Sequence, residues 1–582
     1  MPPVLRRLAS TLSVAPLAAL TLALFACAQA SDGTVLGVKD SGSGDDASVA
    51  SEAGRPETRP SDGGGFDVAD QDVGPPVLSG DPRTCSEAAE YKSYVGCDYW
   101  PTITSNVVWS IFDFAVVVAN AGTDDADVTV DGPAGYHSQV TVAPGGLQKI
   151  YLPWVKELKG PEPGTGTFDN CPLVPKPAEQ ASVMVKNGAY HVVSTRPVTV
   201  YQFNALEYAP KGGPAGKDWS ACPGYQYCTS QLGPAGCFSF SNDASLLLPS
   251  TAMTGNYRVT GVHSFESPSF GGVNGDFVTI TATADGTLVD LKLGPKASVV
   301  KGGIFPALKP NDTFTFTFEH AGDVVQIFGP AIGTNDLSGT LVKADKPVQV
   351  IAGEPCLFNP VDHFACDHVE QSVFPAETLG KSYVVTVPTS PAGKPIGHIV
   401  LVYGNIDGTK LTYGGTRPST APSTIDAGQV IDLGMVTADF VLGGDQPFAV
   451  ASFSLAGELV DPDTKKEERR GDPSLSSMVA TEQYRSKYIF LAPDDYDVSY
   501  ADVVVPTGAS MMLDGAPLTA PATPIDTVWS VMRVKLDAGR GGAHVLTSTL
   551  PVGLQVMGYG KFTSYQYPGG LDLKRIAPPP PR

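Results

Sequence analysis

Ser194-Thr-Arg-Pro197-Val-Thr-Val-Tyr-Gln-Phe203, Ala344-Asp-Lys-Pro347-Val-Gln-Val-Ile-Ala352, Gly444-Asp-Gln-Pro447-Phe-Ala-Val-Ala-Ser452 and Ser548-Thr-Leu-Pro551-Val-Gly-Leu-Gln-Val556 are four versions of one pattern. A short turn leads into proline, and apolar residues then recur at every second place. Proline lacks an N–H, so a sheet tolerates it at the first strand position, and the alternation turns one face inward. A unit repeated along the chain fixes the architecture before any single residue does.

Two further pieces recur around this one. Phe114-Ala-Val-Val-Val-Ala-Asn-Ala-Gly-Thr123, Phe277-Val-Thr-Ile-Thr-Ala-Thr-Ala-Asp-Gly-Thr287, His398-Ile-Val-Leu-Val-Tyr-Gly-Asn-Ile-Asp-Gly-Thr409 and Ala501-Asp-Val-Val-Val-Pro-Thr-Gly508 each read as a strand and a tight turn. Asp-Gly supplies positive φ, and this predicts a hairpin to the next strand. Leu248-Pro-Ser-Thr-Ala-Met-Thr-Gly-Asn-Tyr-Arg-Val259, Phe374-Pro-Ala-Glu-Thr-Leu-Gly-Lys-Ser-Tyr-Val-Val385 and Gln483-Tyr-Arg-Ser-Lys-Tyr-Ile-Phe490 join successive units. About six short strands per unit predict an all-β chain of four tandem β-sandwich-like repeats, over 85–240, 241–368, 369–480 and 481–582. The units are too long for simple propeller blades, while a ring of four sandwiches stays open as their arrangement.

Composition agrees with many turns and few helices. Gly 63 and Pro 51 in 582 residues amount to roughly a fifth of the chain, against an average near 12%. The net charge of -21 argues against a nucleic-acid partner, which needs a basic face to neutralise phosphates.

The amino terminus reads as an export signal over 1–26. Arg6 and Arg7 precede a mostly apolar stretch that ends in Leu24-Phe25-Ala26-Cys27. That ending resembles a bacterial lipobox and predicts lipid attachment at Cys27, with an uncleaved anchor or ordinary cleavage near Ala28 or Ala30 as the alternatives. Residues 27–84 read as a disordered acidic tether: from residue 28 onward they hold eleven carboxylates, four basic residues and one aromatic, too little apolar surface to offset the entropy of ordering.

Besides Cys27 there are eight cysteines: Cys85, Cys97, Cys171, Cys222, Cys228, Cys237, Cys356 and Cys366. An even number in an exported chain predicts disulfides, with proximity favouring Cys356 with Cys366 and Cys85 with Cys97. The rival for the former pair is a metal site of His363, Cys366 and His368.

Catalytic signatures are missing. There is no Gly-x-Ser-x-Gly elbow, His-Glu-x-x-His or complete phosphate loop, and His137, His191, His263, His320, His398 and His544 stand singly. No catalytic residue, metal ligand or cofactor is therefore assigned. Asp494, Asp495, Asp497 and Asp502 form the densest carboxylate group, without the spacing of a calcium loop. Asp461, Asp463, Glu467 and Glu468 alternate with Lys465, Lys466, Arg469 and Arg470 and read as a self-neutralising loop. Tyr225, Tyr227, Tyr565 and Tyr567 fall in Gly/Pro-rich stretches, where rings can stand exposed and stack on a sugar or a partner, although each ring taken singly is expected to pack its own turn.

Longer runs carry a family likeness. Lys92-Ser-Tyr-Val-Gly-Cys97-Asp-Tyr-Trp-Pro-Thr102, Tyr201-Gln-Phe-Asn-Ala-Leu-Glu-Tyr208, Ser241-Asn-Asp-Ala-Ser-Leu-Leu-Leu-Pro249, Phe374-Pro-Ala-Glu-Thr-Leu-Gly-Lys381 and Leu491-Ala-Pro-Asp-Asp-Tyr496 resemble the IgGFc-binding protein N-terminal domain family, in the form seen in exported lipoproteins of myxobacteria. The resemblance implies adhesion or binding outside the cell. The expectation is a lipid-anchored cell-surface binding or adhesion protein at the bacterial outer membrane, not an enzyme, held to the membrane by its lipid and facing an extracellular protein or glycan. Its alternatives are a self-associating structural component of the envelope or extracellular matrix and a secreted hydrolase.

Overall fold

The computed structural model describes residues 81–120, 122–162, 180–222, 237–267, 272–363, 366–537 and 542–581. The export signal, Cys27, all of the tether before residue 81, Cys171, Cys228, Tyr225 and Tyr227 lie outside the described residues. The described residues, from 81 onward, fall within one compact unit.

The proline of each repeat sits where the chain crosses between two sheets. In the first sandwich the strand His191–Phe203 pairs up to Ser194 with Ala126–Asp131, and from Val198 onward with Phe114–Asn120. Pro197 falls between these ladders. In the second and third, Pro347 and Pro447 separate Leu341–Ala344 from Val348–Phe358 and Phe440–Gly444 from Phe448–Phe453. In the fourth, Ala543–Gly560 pairs with Met511–Leu513 and, from Lys487 on, with Arg485–Leu491 before Pro551, and with Val498–Pro506 and Thr563–Pro568 after it, Arg485 itself lying opposite Val552. A residue that cannot donate to a ladder costs least where one ladder has ended and the next begins.

All four sandwiches share one topology. In the second, one sheet runs Thr313–Phe318, Thr287–Lys292, Leu341–Ala344, Asn256–Arg258, and the other Cys366–Ser372, Val348–Phe358, Phe277–Ala282, Val324–Phe328. The predicted hairpin at Asp-Gly is corrected here. Gly286 and Gly408 do adopt positive φ, at +64° and +66°, but the strands they join lie in opposite sheets. Four residues, 283–286, reach roughly 13 Å, enough to step between layers about 10 Å apart. Each sandwich also has a closing strand that pairs with the crossing strand: Ala244–Leu246, Cys366–Ser372, Leu475–Ser477 and Thr563–Pro568. Ala244–Leu246 thus belongs to the first sandwich's sheet, beyond residue 240. A further strand, Val183–Val185, leaves the first repeat and extends the second sandwich at Val324–Phe328.

The sheets bury separate cores, typified by Val116, Val128 and Val200 in the first sandwich, Ile280, Val289 and Val350 in the second, and Val400, Leu411 and Val450 in the third. The largest core draws Tyr201, Val369, Phe453 and Tyr567 from four different sandwiches. Tyr565 and Tyr567 are fully buried, on a closing strand and not in a loop, so the alternative in which they stand exposed is corrected: they alternate with Gln566 along a strand covered on both faces.

The closing strands also bond to one another. Asp243 Oδ2 accepts from the backbone of Glu370 and Leu475 at 3.2 and 3.1 Å, and Thr563 Oγ1 lies 3.0 Å from both Asn242 Oδ1 and Asp367 Oδ2. Tyr94 N donates to Leu571 O at 3.1 Å and Leu573 N to Lys92 O at 2.6 Å, bonding the fourth sandwich to the first. Asp81, inside the stretch read as tether, is ion-paired with Arg485 and Lys487 at 2.8 and 2.6 Å, so order begins before residue 85.

Candidate functional site

The register of the first sandwich places four chemically active side chains in a row. Asp131 ends the strand Ala126–Asp131, with His137 of the next strand opposite it on one side and His191 of the crossing strand on the other. Gly96–Tyr99 pairs Tyr99 with Val192, and one more residue of the same register sets Trp100 opposite His191. Side chains directly opposite on neighbouring strands stand about 4.5–5.5 Å apart at Cβ, close enough to act together.

The geometry is tight. The Trp100 and His191 rings stack with centroids 4.0 Å apart and an 8° interplanar angle. His191 Nε2 lies 2.7 Å from Asp98 Oδ2, and His137 Nδ1 lies 2.7 Å from Asp131 Oδ1. Burial alone would raise the Asp98 carboxyl, but hydrogen bonding, led by His191, outweighs it and leaves the pKa below its ordinary value. Asp98 is therefore a carboxylate that holds His191 in one orientation, with Nε2–H donating.

Around the row lies a cavity of about 310 Å3, walled by Tyr136 and the 132–135 turn on one side and by Asn187, Ala189 and Ala321 on the other. Gly132 is required here: a Cβ on it would fall 2.2 Å from the Tyr190 ring beneath. Ala321 belongs to the second sandwich, so the cavity sits at a seam. Trp100 is 7% exposed and forms the floor. The Asp131 and His137 side chains, 62% and 56% exposed, form the rim. A smaller cavity of about 250 Å3 occupies the same corner of the fourth sandwich, where His544 Nδ1 lies 2.8 Å from Asp514 Oδ2 beside Lys535. Such arrangements offer hydrogen-bond donors, acceptors and a flat ring.

The other predicted residues are placed as follows. Cys85–Cys97, Cys222–Cys237 and Cys356–Cys366 are disulfides. His363 turns to Glu458, and His368 is buried against Glu370 and Thr104. The metal alternative with Cys366 is thereby overturned. Among the described residues no group of three or more His, Cys, Asp or Glu is placed to hold a metal ion. The carboxylate group near 494 is dispersed: Asp494 and Asp495 pair with Lys149, Asp497 accepts from Tyr208, and Asp502 is buried and accepts from Thr389. In the charged loop Arg470 pairs with Asp461, while Arg469 and Glu468 reach out to Glu458 and Lys561. Sequence reading missed the seam site because it took His137 and His191 singly. Strand register, which makes them neighbours of Asp131, is a tertiary property.

The profile of the family described as IgGFc binding protein matches residues 243–558. The human IgGFc-binding protein is 30% identical over 144 residues, covering 23% of this chain and 2% of that protein's length. A solved tetra-tandem repeat from the extending region of a large adhesion protein is similar at 11% identity with a TM-score of 0.08, covering 82% of this chain and 99% of that one. No described helix is long and apolar enough to cross a membrane.

Proposed function

The chain belongs to the IgGFc-binding protein family, and from that premise we propose that it is an exported, lipid-anchored cell-surface binding or adhesion protein without catalytic activity. The observation that carries this reading is the seam cavity. It gathers a stacked Trp100–His191 pair, the Asp131 carboxylate and a tyrosine around a solvent-open space, a ring-lined concave site with a few convergent polar groups of the type that suits ligand capture. An antibody ligand is not carried over, because the match to the human protein spans so little of it.

The proposed anchor is Cys27, with 27–80 as spacer. Two or more acyl chains hold stably, each buried methylene adding about 0.8 kcal/mol. Cys27→Ala is expected to leave the folded part intact and to release it from membranes on a salt wash. Sedimentation of the variant with membranes after that wash counts against lipidation. For binding, the full chain in detergent is presented to a defined array of extracellular glycans and glycoproteins that includes immunoglobulin. Saturable binding is expected. A blank array together with reproducible hydrolysis of a panel substrate overturns the reading.

A further inference from the structure

We propose that the seam cavity of the first sandwich is a saccharide site that takes one neutral or amino-bearing sugar unit of a glycan. The inference rests on the binding reading above and narrows it.

Size comes first. Small-molecule sites run from about 300 to 1,000 Å3, and this one, at about 310 Å3, lies at the bottom of that range. It admits a single ring-sized group and cannot seat a folded epitope, which needs roughly 800 Å2 of surface on each partner.

Chemistry comes second. A sugar ring has one face of C–H groups and an edge of hydroxyls. The cavity answers both. His191 is stacked on Trp100 on one side and keeps a third of its side chain exposed, so a ring surface is held rigid from beneath and open above. Rigid aromatic planes give contact area with little loss of conformational entropy. Around that plane stand the Asp131 carboxylate, the His137 imidazole and the Asn187 amide, each able to bond a hydroxyl. His137 and Asp131 hold one another at 2.7 Å, and Asn187 is fixed by its own backbone N–H donating to Asp323 Oδ1 at 2.9 Å, so the rim is preorganised.

Charge selects among sugars. The described lining holds Asp131, with Asp98 behind His191, and no lysine or arginine. A uronic or sialic carboxylate placed there would face like charge without a cation to pair with, whereas neutral hexoses and amino sugars meet no such penalty. The cavity at His544 has Lys535 on its lining and lacks a tryptophan, so the same preference does not extend to it.

The test uses the full chain in detergent against three probe classes: neutral and amino-bearing oligosaccharides, their sialylated or uronic counterparts, and glycan-free immunoglobulin. Neutral or amino-bearing probes are expected to bind, acidic counterparts at least tenfold more weakly. Asp131→Ala and His137→Ala, both at exposed rim positions that leave the fold intact by circular dichroism, are expected to weaken binding at least tenfold. His191→Ala removes the ring platform and is expected to abolish it. Equal affinity for acidic and neutral probes, or unchanged affinity in both rim variants, overturns the saccharide assignment. Binding of immunoglobulin alone also overturns it while leaving the general binding reading standing. No binding of any class overturns the saccharide assignment, and the general binding reading falls with it only where hydrolysis of a panel substrate is also found.

Discussion

Buried carboxylates set the chain's response to pH. Asp472 and Asp502 are pushed up to about 7 and Asp276 to about 6, in each case chiefly by burial, with Glu458, Asp439 and Asp336 adding repulsion respectively. Their folded-state pKa values lie above the unfolded value near 3.9. The fold therefore favours their protonated forms. The stability they contribute is complete below about pH 4 and is lost as pH rises through about 6 to 7, with a slope of up to about 1.4 kcal/mol per pH unit for each group. Asp98, held below its ordinary value, acts in the opposite sense at lower pH. Denaturant midpoints are expected to fall between about pH 5 and about pH 8. Asp502→Asn keeps a hydrogen-bonding partner for Thr389 and removes the charge, so its midpoint should vary less across that window. A midpoint that is flat or rises with pH, or a variant that follows the parent curve, contradicts this account.

At the scale of elements, the apolar periods at Pro197, Pro347, Pro447 and Pro551 were enough to predict four β units, because alternation and proline placement are local properties. The side of the sandwich to which each strand goes was not legible. Asp285-Gly286 specifies a turn with positive φ at Gly286, and the same turn can close a hairpin or step between layers; pairing partners decide, and these lie as far away as Val348 and Phe328. The borrowed strand Val183–Val185 was equally hidden, since three residues carry too short a pattern to declare a partner beyond residue 320. Its position invites a test. Val185 pairs with Val324 at a hydrogen-bonded position, and Val185→Pro removes one ladder donor and disturbs the pairing. An unmade buried hydrogen bond costs about 1–3 kcal/mol. Faster hydrogen exchange is expected at Val324–Phe328, with little change in the third sandwich's Val430–Val436. Unchanged exchange at Val324–Phe328 would show that the added strand stabilises nothing.

Disulfides divide the elements unevenly. Those among the described residues all lie before residue 370, closing short loops worth about 2–3 kcal/mol each in the chain-entropy model. The third and fourth sandwiches have no cysteine and rest on apolar burial. Reductant should therefore add protease cuts mainly before residue 370. New cuts that are as frequent between residues 390 and 560 reject the idea.

On the scale of the whole molecule, the question is whether four sandwiches act as beads or as one body. Hydrogen bonds join the closing strands of all four, and residues 92–94 bond to 571–573. We infer from these contacts that the sandwiches close into a ring. Tyr94 stands at the joint: its hydroxyl donates to Ile489 O at 3.1 Å and accepts from Ile489 N at 2.9 Å, inside the core shared by the sandwiches. Arg485 lies over the same ring at 5.5 Å and pairs with Asp81 and Asp572, so both ends of the folded chain meet there. Tyr94→Phe keeps the packing but leaves Ile489 N without its partner and Ile489 O with the Tyr201 hydroxyl alone at 3.3 Å, a cost of about 1–3 kcal/mol. In a closed ring that cost is shared: the single unfolding transition moves as a whole to lower denaturant, and exchange quickens in the second and third sandwiches as well as at the joint. In a string of independent sandwiches only the fourth would soften, and its transition would separate from the rest. Chemical unfolding followed at once by tryptophan fluorescence, which reports mainly the first sandwich and its loops, and by hydrogen exchange across all four distinguishes the two, and a separate early transition confined to 485–568 defeats the ring.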